Sequence, residues 1–204
     1  MTKRRPAVVV LAAGRGMRFR GAGHKLEQSL GDETVLARTI GHAIASGMRV
    51  VVVTTAALEP SVKRVLASSE LVLVPELNAR GQPNPLGMGF SIAAGVSATG
   101  DADGWLIVPG DMPMLRASSM VAVAQALEQY PVAYAQYRGQ RGHPVGFSAE
   151  LYSELVGLQG DEGARRLVAR YPAQGVELDD PGVLLDVDTD EDLARVRAHA
   201  AGQS

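Results

Sequence analysis

The chain has 204 residues, 46% of them hydrophobic, with 20 Lys and Arg against 22 Asp and Glu and a formal net charge of −2. This length and apolar content predict one well-buried domain over residues 1–204 rather than two. There is no cysteine, which excludes disulfides, thiolate metal sites and a cysteine nucleophile. Apolar runs are too short for a secretion signal or a membrane span, so we expect a cytoplasmic protein without a membrane or nucleic-acid partner.

The first predicted element is a buried strand, Ala7–Ala12, that leads into a loop of glycine and basic residues. Between Gly14 and Lys25 this loop has four glycines, five basic side chains and no acid. Glycines let the backbone turn sharply and point its N–H groups at an anion. Because the rest of the chain is nearly balanced in charge, the unopposed basic loop predicts a polyphosphate site.

Two common phosphate loops do not match these residues. The nucleoside-triphosphatase loop requires Lys-Ser or Lys-Thr after its second glycine, but Ala22 and Gly23 follow Gly21. A dinucleotide site requires a third glycine where Phe19 stands and an acid after the second strand, which instead runs into Thr54. The loop therefore belongs to another class of nucleotide site.

Helix-like and strand-like stretches then alternate along the chain. An apolar stripe through residues 35–44, closed by Gly47, predicts a helix, and a later helix is predicted to be capped by Ser118 or Ser119 and to end before Pro131. Further buried strands are predicted at residues 50–53, 71–74, 105–108 and 132–135. The alternation predicts a mostly parallel sheet covered on both faces.

Residues 76–86 have the composition of a surface loop and precede a glycine-rich helix start. Gly87, Gly89 and Ser91 lie in the first turns of that helix. A helix N-terminus favours negative charge, and glycines allow a ligand to approach the backbone. The segment therefore predicts either a phosphate contact or an ordinary helix start with Ser91 in its first turn.

Asp111 follows the predicted strand at 105–108 through Pro109 and Gly110. In open α/β sheets, ligands bind beyond the carboxyl ends of the strands. A carboxylate there can coordinate Mg²⁺ that bridges phosphates. The alternative is an aspartate that only stabilises its turn.

The later part of the chain contains polar residues of more ambiguous role. A hairpin is predicted at 138–140, with His143 in the strand that follows it. A lone histidine has a structural role more often than a functional one. Asp161 is a candidate cap for the next helix, and Arg165 or Arg166 can reach an acceptor phosphate.

Asp186 and Asp188 alternate around Val187. At strand spacing both carboxylates face one side, which makes them further metal candidates. Thr189 with Asp192 resembles a helix capping box, which is the structural alternative for this segment.

Several of these motifs resemble those of one family. Leu11-Ala12-Ala13-Gly14, Arg18 and Lys25-Leu26 resemble the signature loop of the molybdenum cofactor nucleotidyltransferases. Segments 87–92, 109–113, 142–145, 160–165 and 186–189 resemble its later motifs in the same order. Arg20 makes the loop about one residue longer than in that family, as in the cytidylyltransferases of isoprenoid synthesis, which use a different acceptor. The resemblance implies a three-layer, Rossmann-like nucleotide-diphospho-sugar-transferase fold, α/β in class, with a mostly parallel mixed sheet.

The resemblance also implies roles for particular residues. Arg18, Lys25 and Asp111 would be catalytic, with Asp111 as the metal aspartate and Asp186 and Asp188 as secondary metal candidates. The residues implied in nucleotide binding are Leu11, Ala12, Ala13, Gly14, Arg15, Gly16, Lys25, Gly87, Gly89 and Ser91. Those implied near the acceptor are His143, Asp161 and Arg165.

The resemblance implies transfer of CMP from CTP to molybdopterin with Mg²⁺ as cofactor, because Ala12-Ala13-Gly14 is typical of the cytidylyl members. A molybdoenzyme or its chaperone would then be the protein partner. One alternative is an NAD(P)H-dependent reductase of the nicotine blue oxidoreductase type, which shares the fold. Another is a non-catalytic carrier of molybdenum cofactor. The presence of Arg18, Lys25 and Asp111 favours catalysis.

Overall fold

A seven-stranded sheet forms the centre of the protein in a computed structural model that describes residues 5–14, 19, 23–76, 87–161 and 163–201. In chain order the strands of this sheet are β1 (Ala7–Ala12), β4 (Arg49–Thr54), β5 (Leu71–Leu73), β6 (Gly104–Pro109), β7 (Val132–Tyr137), β8 (Gln140–Ser148) and β9 (Ala173–Glu177). Their spatial order is β5-β4-β1-β6-β8-β7-β9, and only β8 runs opposite to the rest. Two short strands, β2 (Ser29–Leu30) and β3 (Glu33–Thr34), pair separately as an antiparallel ribbon.

Helices cover both faces of the sheet. They are α1 (Val35–Ala45), α2 (Glu59–Lys63), α3 (Gly87–Ala98), α4 (Ala117–Ala126), α5 (Tyr152–Val156), α6 (Arg165–Arg170) and α7 (Asp190–Ala201). One buried cluster joins α1, α2, α4 and α7 to one face, and a second joins α3, α5 and α6 to the other. The predicted three-layer α/β fold with a mostly parallel mixed sheet is confirmed.

The central strand β1 shows why the sequence pattern is a continuous apolar run. Val8 and Val10 point into the first cluster and Val9 into the second, and all three are fully buried. Helix α3 packs so closely on this strand that a Cβ at Gly95 would lie 2.4 Å from Val9 Cγ1. A strand buried on both faces has no polar side to alternate with its apolar one.

Several predicted elements are confirmed. Helix α1 begins after Thr34, whose hydroxyl accepts a hydrogen bond from the N–H of Ala37, and ends before Gly47, which has a φ of 71°. The hairpin between β7 and β8 turns at Arg138 and Gly139. The predicted loop at 76–86 lies outside the described residues after Glu76.

Three local predictions are wrong. Helix α4 is not capped by Ser118 or Ser119, because its N-cap is Arg116 and Ser119 donates instead to Asp180. Asp161 does not cap α6, whose N-cap is Ala164. In both cases a polar residue near the helix start was predicted to be the N-cap, but another residue holds that position.

The third error is the strand expected at Asp186 and Asp188. The chain there forms a 3-10 turn, Pro181–Leu184, followed by irregular backbone up to Asp188. No helix in the part of the chain that the structure describes combines the length and apolar character needed to cross a bilayer.

Candidate functional site

The carboxyl ends of the neighbouring strands β1 and β6 bring two candidate loops together. Gly110 follows β6, and its N–H donates to the carbonyl oxygen of Leu11 in β1 at 2.8 Å. A Cβ at Gly110 would lie 2.9 Å from that same oxygen, so glycine allows the two strand ends to approach. Asp111 therefore follows directly beyond the sheet edge, where parallel strands place their ligands.

Lys25 reaches this edge from the end of the basic loop. It begins a 3-10 turn, Lys25–Glu27, in which the ring of His24 accepts a hydrogen bond from the N–H of Leu26 at 3.2 Å. The other ring nitrogen of His24 lies 3.0 Å from the carbonyl oxygen of Gly14. The histidine thus joins the start of the loop to its end and fixes where the Lys25 side chain leaves the backbone.

The ammonium of Lys25 lies between two carboxylates that are distant in sequence. Its Nζ donates to Asp111 Oδ2 at 2.6 Å and to Asp188 Oδ1 at 2.7 Å. The side chains of Lys25 and Asp111 are 11% and 14% exposed. Such partly buried, charge-assisted hydrogen bonds are shorter and stronger than neutral ones. The three residues form the centre of the candidate site.

The charges of this centre shift the pKa values of its members. Burial alone lowers the pKa of Lys25, but the charge of Asp111 and the hydrogen bonds to Asp111 and Asp188 outweigh it, so the net shift is upward. Burial raises the pKa of Asp186, and the nearby charges of Asp111 and Asp188 raise it further. Lys25 therefore stays protonated at neutral pH, and Asp186 lies within the electrostatic reach of both other carboxylates.

The same carboxylates fit a divalent cation. Asp111 Oδ1 is buried and is the only buried side-chain polar atom of the described residues without a hydrogen-bond partner. A hard cation such as Mg²⁺ prefers anionic oxygen. No group of three or more carboxylates and imidazoles arranged to hold a metal occurs among the described residues. Asp111 and Asp188 could thus contribute part of a coordination sphere whose other ligands come from a bound molecule.

Asp188 reaches the site from a segment that we term the strap, residues 180–188. The N–H of Val187 donates to the carbonyl oxygen of Asp111 at 2.9 Å. At the end of the strap, the N–H of Asp188 donates to Asp192 Oδ2 at 3.2 Å. The expected capping box is present, because Asp192 also accepts from Thr189 while its own N–H donates to the Thr189 hydroxyl at 3.1 Å. Asp188 is therefore presented beside a helix start, and not by a strand.

The glycines at the start of α3 contact another loop of the protein. Gly87 has a φ of 74°, and a Cβ on it would lie 2.3 Å from the carbonyl oxygen of Gly160. The N–H of Gly89 donates to that oxygen at 2.8 Å, and a Cβ at Gly89 would lie 2.7 Å from the carbonyl oxygen of Gln159. This backbone contact by itself requires glycine at both positions, and it brings them next to Asp161. Ser91 is buried one turn further along the helix.

The remaining acceptor candidates occupy two separate places. His143 is partly buried in β8; burial and the charge of Arg141 lower its pKa to about 4, against an opposing effect of Asp186. The imidazole is therefore neutral at pH 7. Arg141 itself lies 4.8 Å from the centre of the Tyr134 ring. Arg165 is exposed as the first residue of α6.

The structure describes only part of the predicted phosphate loop. Leu11 and Ala12 end β1, and Ala13 and Gly14 follow it toward the site. Three other residues expected to act there, Arg15, Gly16 and Arg18, lie outside the described residues.

Two residues of the site's framework were not predicted from the sequence. His24 was counted only as a cation, although its ring joins both ends of the loop. Asp180 was not singled out at all; it is 3% exposed and binds residues more than 60 positions away in the chain. The only local signal at Asp180 is the turn-like Pro181-Gly182 after it, which does not indicate a partner so distant in sequence.

Comparison with known proteins agrees with the fold. The family model described as "MobA-like NTP transferase domain" matches residues 8–176. The purine catabolism protein PucB of Bacillus subtilis is 36% identical over 116 residues, which are 54% of this chain and 56% of PucB, so the match spans about half of that relative.

Two solved structures resemble the chain over nearly its whole length. One is the homologue of Mycobacterium tuberculosis Rv0371c from Mycobacterium sp. strain JC1, with 28% identity, 98% of both chains covered and a TM-score of 0.83. The other is Rv0371c of Mycobacterium tuberculosis in complex with manganese, with 25% identity, 95% of this chain and 98% of that one covered, and a TM-score of 0.76.

Proposed function

Because the chain belongs to the MobA-like NTP transferase family, we propose that it transfers CMP from CTP to molybdopterin, with Mg²⁺ as cofactor and pyrophosphate as second product. The observation that carries this proposal is the position of Lys25 between Asp111 and Asp188 at the carboxyl edge of the sheet. One cation and two carboxylates at that edge are the groups that a metal-dependent transfer between phosphates needs.

The proposed reaction is a displacement at phosphorus. An oxygen of the terminal phosphate of molybdopterin attacks the α-phosphorus of CTP, and a new P–O bond forms. The bond between the α-phosphorus and the bridging oxygen to the β-phosphate breaks, and its electron pair leaves with pyrophosphate. A phosphate monoester is already anionic at neutral pH, so the reaction requires no protein general base.

Catalysis would then consist of positioning and charge stabilisation. Lys25 stays protonated and is shielded from water, so its charge acts strongly on phosphate oxygens near it. Asp111 and Asp188 would hold the divalent cation, which when bound neutralises charge on the phosphates. Arg18 and the backbone from Gly14 to Met17 complete the proposed phosphate site. The manganese in Rv0371c supports a divalent cation on this fold.

The acceptor would lie between the site and the later strands. His143 is neutral, so it can exchange hydrogen bonds with a polar acceptor without adding charge. Asp161 and Arg165 remain proposed acceptor residues, and Gly87, Gly89 and Ser91 proposed nucleotide residues. CTP as the donor rests on Ala13 in the loop motif. We propose a cytoplasmic molybdoenzyme, or its chaperone, as the recipient of the product.

Pyrophosphate release tests the proposal directly. CTP, GTP, ATP and UTP are each incubated with the protein and Mg²⁺, with and without molybdopterin. We expect release with CTP and only when molybdopterin is present. Release with GTP alone would contradict the assignment of the base, and the absence of release with every nucleotide would contradict a transferase. Protection against thermal unfolding by NADPH, and by none of the four nucleoside triphosphates, would support the reductase alternative.

A further inference from the structure

Asp180, at the start of the strap, is a buried carboxylate that touches none of the proposed reacting groups. Its Oδ2 accepts hydrogen bonds from the Ser119 hydroxyl at 2.6 Å and from the Arg116 N–H at 3.1 Å. Its Oδ1 accepts from the Gly182 N–H at 2.9 Å and lies 3.7 Å from Arg116 Nε. Burying a carboxylate is costly unless such donors compensate it. Asp180 therefore forms a specific link between the strap and the start of α4.

The link also places a carboxylate at the start of a helix. Helix α4 has Arg116 as its N-cap, which offers no side-chain hydrogen bond of its own. Asp180 accepts from the backbone N–H of that cap residue and from the hydroxyl of Ser119 in the first turn. An anion at a helix N-terminus is favoured by the helix dipole. Capping alone needs only a local serine or aspartate, whereas a carboxylate from position 180 also fixes the strap.

The strap and residues 111–119 meet at their two ends and in the middle, and the order of these contacts shows that the segments run in opposite directions. In the middle, a Cβ at Gly182 would lie 2.0 Å from the carbonyl oxygen of Met114. On its other side, the strap lies so close to β8 that a Cβ at Gly142 would be 2.1 Å from the carbonyl oxygen of Val183. The strap is thus closely packed against a neighbour on each side.

At the other end, the two segments meet at the proposed catalytic centre. The Val187 N–H donates to the carbonyl oxygen of Asp111. Asp188, the next residue, then binds Lys25. Asp180 and Asp188 therefore lie at opposite ends of one tightly packed pair of segments.

We propose that Asp180 is a positioning residue, which fixes the strap against residues 111–119 and thereby sets the distance from Asp188 to Lys25 and Asp111. Its effect on turnover rests on the proposed transferase function, but its effect on the Lys25–Asp188 contact does not. The strap would transmit a displacement from Asp180 to Asp188, as closely packed segments do.

A double-mutant cycle measures that transmission without substrate or metal. Urea unfolding is followed for wild type, Asp180→Ala, Asp188→Asn and the double variant. If Asp180 sets the position of Asp188, the shift in urea midpoint caused by Asp188→Asn, whatever its sign, falls to half or less in the Asp180→Ala background. An equal shift in both backgrounds overturns the proposal.

Thr99→Val is the matched control. Thr99 is fully buried, its hydroxyl donates to the Gly95 carbonyl oxygen at 2.9 Å, and it accepts from Trp105 Nε1 at 3.0 Å. It lies at the opposite end of β6 from Asp111, so we expect the Asp188→Asn shift to be unchanged in the Thr99→Val background. Should Asp180→Ala not fold, Asp180→Asn replaces it, because the amide keeps the volume but loses the charge and one acceptor.

A second measurement separates this proposal from the proposed function. With Mn²⁺ as the metal, the Mn²⁺ concentration that gives half-maximal pyrophosphate release should rise about tenfold in the Asp180 variant, as for other residues that orient metal ligands. The same Mn²⁺ concentration should stay unchanged in Thr99→Val. Coupling in the unfolding cycle without pyrophosphate release from any nucleotide would support positioning and overturn the transferase. Normal pyrophosphate release together with an additive unfolding cycle would support the transferase and overturn the positioning role of Asp180.

Discussion

Asp111 and Asp188 bind the same ammonium, but the chain brings them there in different ways. Asp111 follows a buried strand through a Pro-Gly turn, so its place is determined by the strand before it. Asp188 ends an irregular strap whose position depends on contacts with β8, α4 and α7. The first position is encoded locally, whereas the second depends on tertiary packing, so substitutions should affect them differently.

The largest expected effect comes from Lys25→Met, which removes the positive charge that pairs with both carboxylates. We expect turnover to fall by at least about 100-fold, comparable to the loss of one donor to a developing charge. Pyrophosphate release measures this. Lys63→Met is the matched control, because Lys63 pairs with Glu59 on the surface of α2, away from the site. Normal turnover of Lys25→Met would remove Lys25 from the mechanism.

Asp111→Asn and Asp188→Asn compare the two carboxylates directly. We expect Asp111→Asn to lower turnover by at least about 100-fold relative to wild type, because a divalent cation supplies several kcal/mol of charge stabilisation. Asp188→Asn should lower turnover less. Asp111 also has a buried oxygen with no partner in the described structure, which makes it the stronger ligand candidate. Pyrophosphate release and calorimetric titration of CTP with and without Mg²⁺ measure the difference. If Asp111 only stabilises its turn, Asn serves nearly as well, and neither measurement changes.

Gly182→Ala tests how tightly the strap is packed. The new Cβ would lie 2.0 Å from the Met114 carbonyl oxygen, so backbone must move. We expect the free energy of unfolding to fall by about 2–3 kcal/mol, as for other overpacked sites. Gly41→Ala in α1 is the control, because nothing lies within 4 Å of its new Cβ, and alanine should raise stability by about 0.5–1 kcal/mol. A neutral Gly182→Ala would show that the strap is loose.

The smallest effect concerns His143 of β8, which is influenced by the charges of Arg141 and Asp186. Its pKa is about 4 in the folded protein and 6.5 in the unfolded chain, so between these values the unfolded chain binds more protons. Folding stability contributed by His143 is therefore complete above pH 6.5 and is lost as the pH falls toward 4. From pH 7 to pH 5 we expect a loss of about 2 kcal/mol. Urea unfolding at both pH values measures it, and His143→Gln should remove this part of the loss.

The same contrast explains what could be predicted from sequence. Apolar runs locate β6, which leads to Asp111, and its neighbour β1, because strand burial is a local pattern that the side chains themselves carry. The alternation around Val187 suggested a strand, but Val187 is buried by α7 and the strap's neighbours and not by strand pairing. No periodicity indicates that Asp180 binds Ser119, because that contact depends on the packed structure as a whole.

The seam between Gly87, Gly89 and the carbonyl groups of Gln159 and Gly160 limits how the proposed acceptor residue Asp161 could be exchanged. Grafting the loop before α6 from a relative would transplant Asp161 together with the backbone on which α3 rests. A donor loop that bulges there, or a host with any side chain at position 87, would force α3 or the loop to move, and α3 cannot yield toward β1 because Gly95 leaves no spare space over Val9. Loop exchange in this fold therefore has to carry both halves of the seam as one unit.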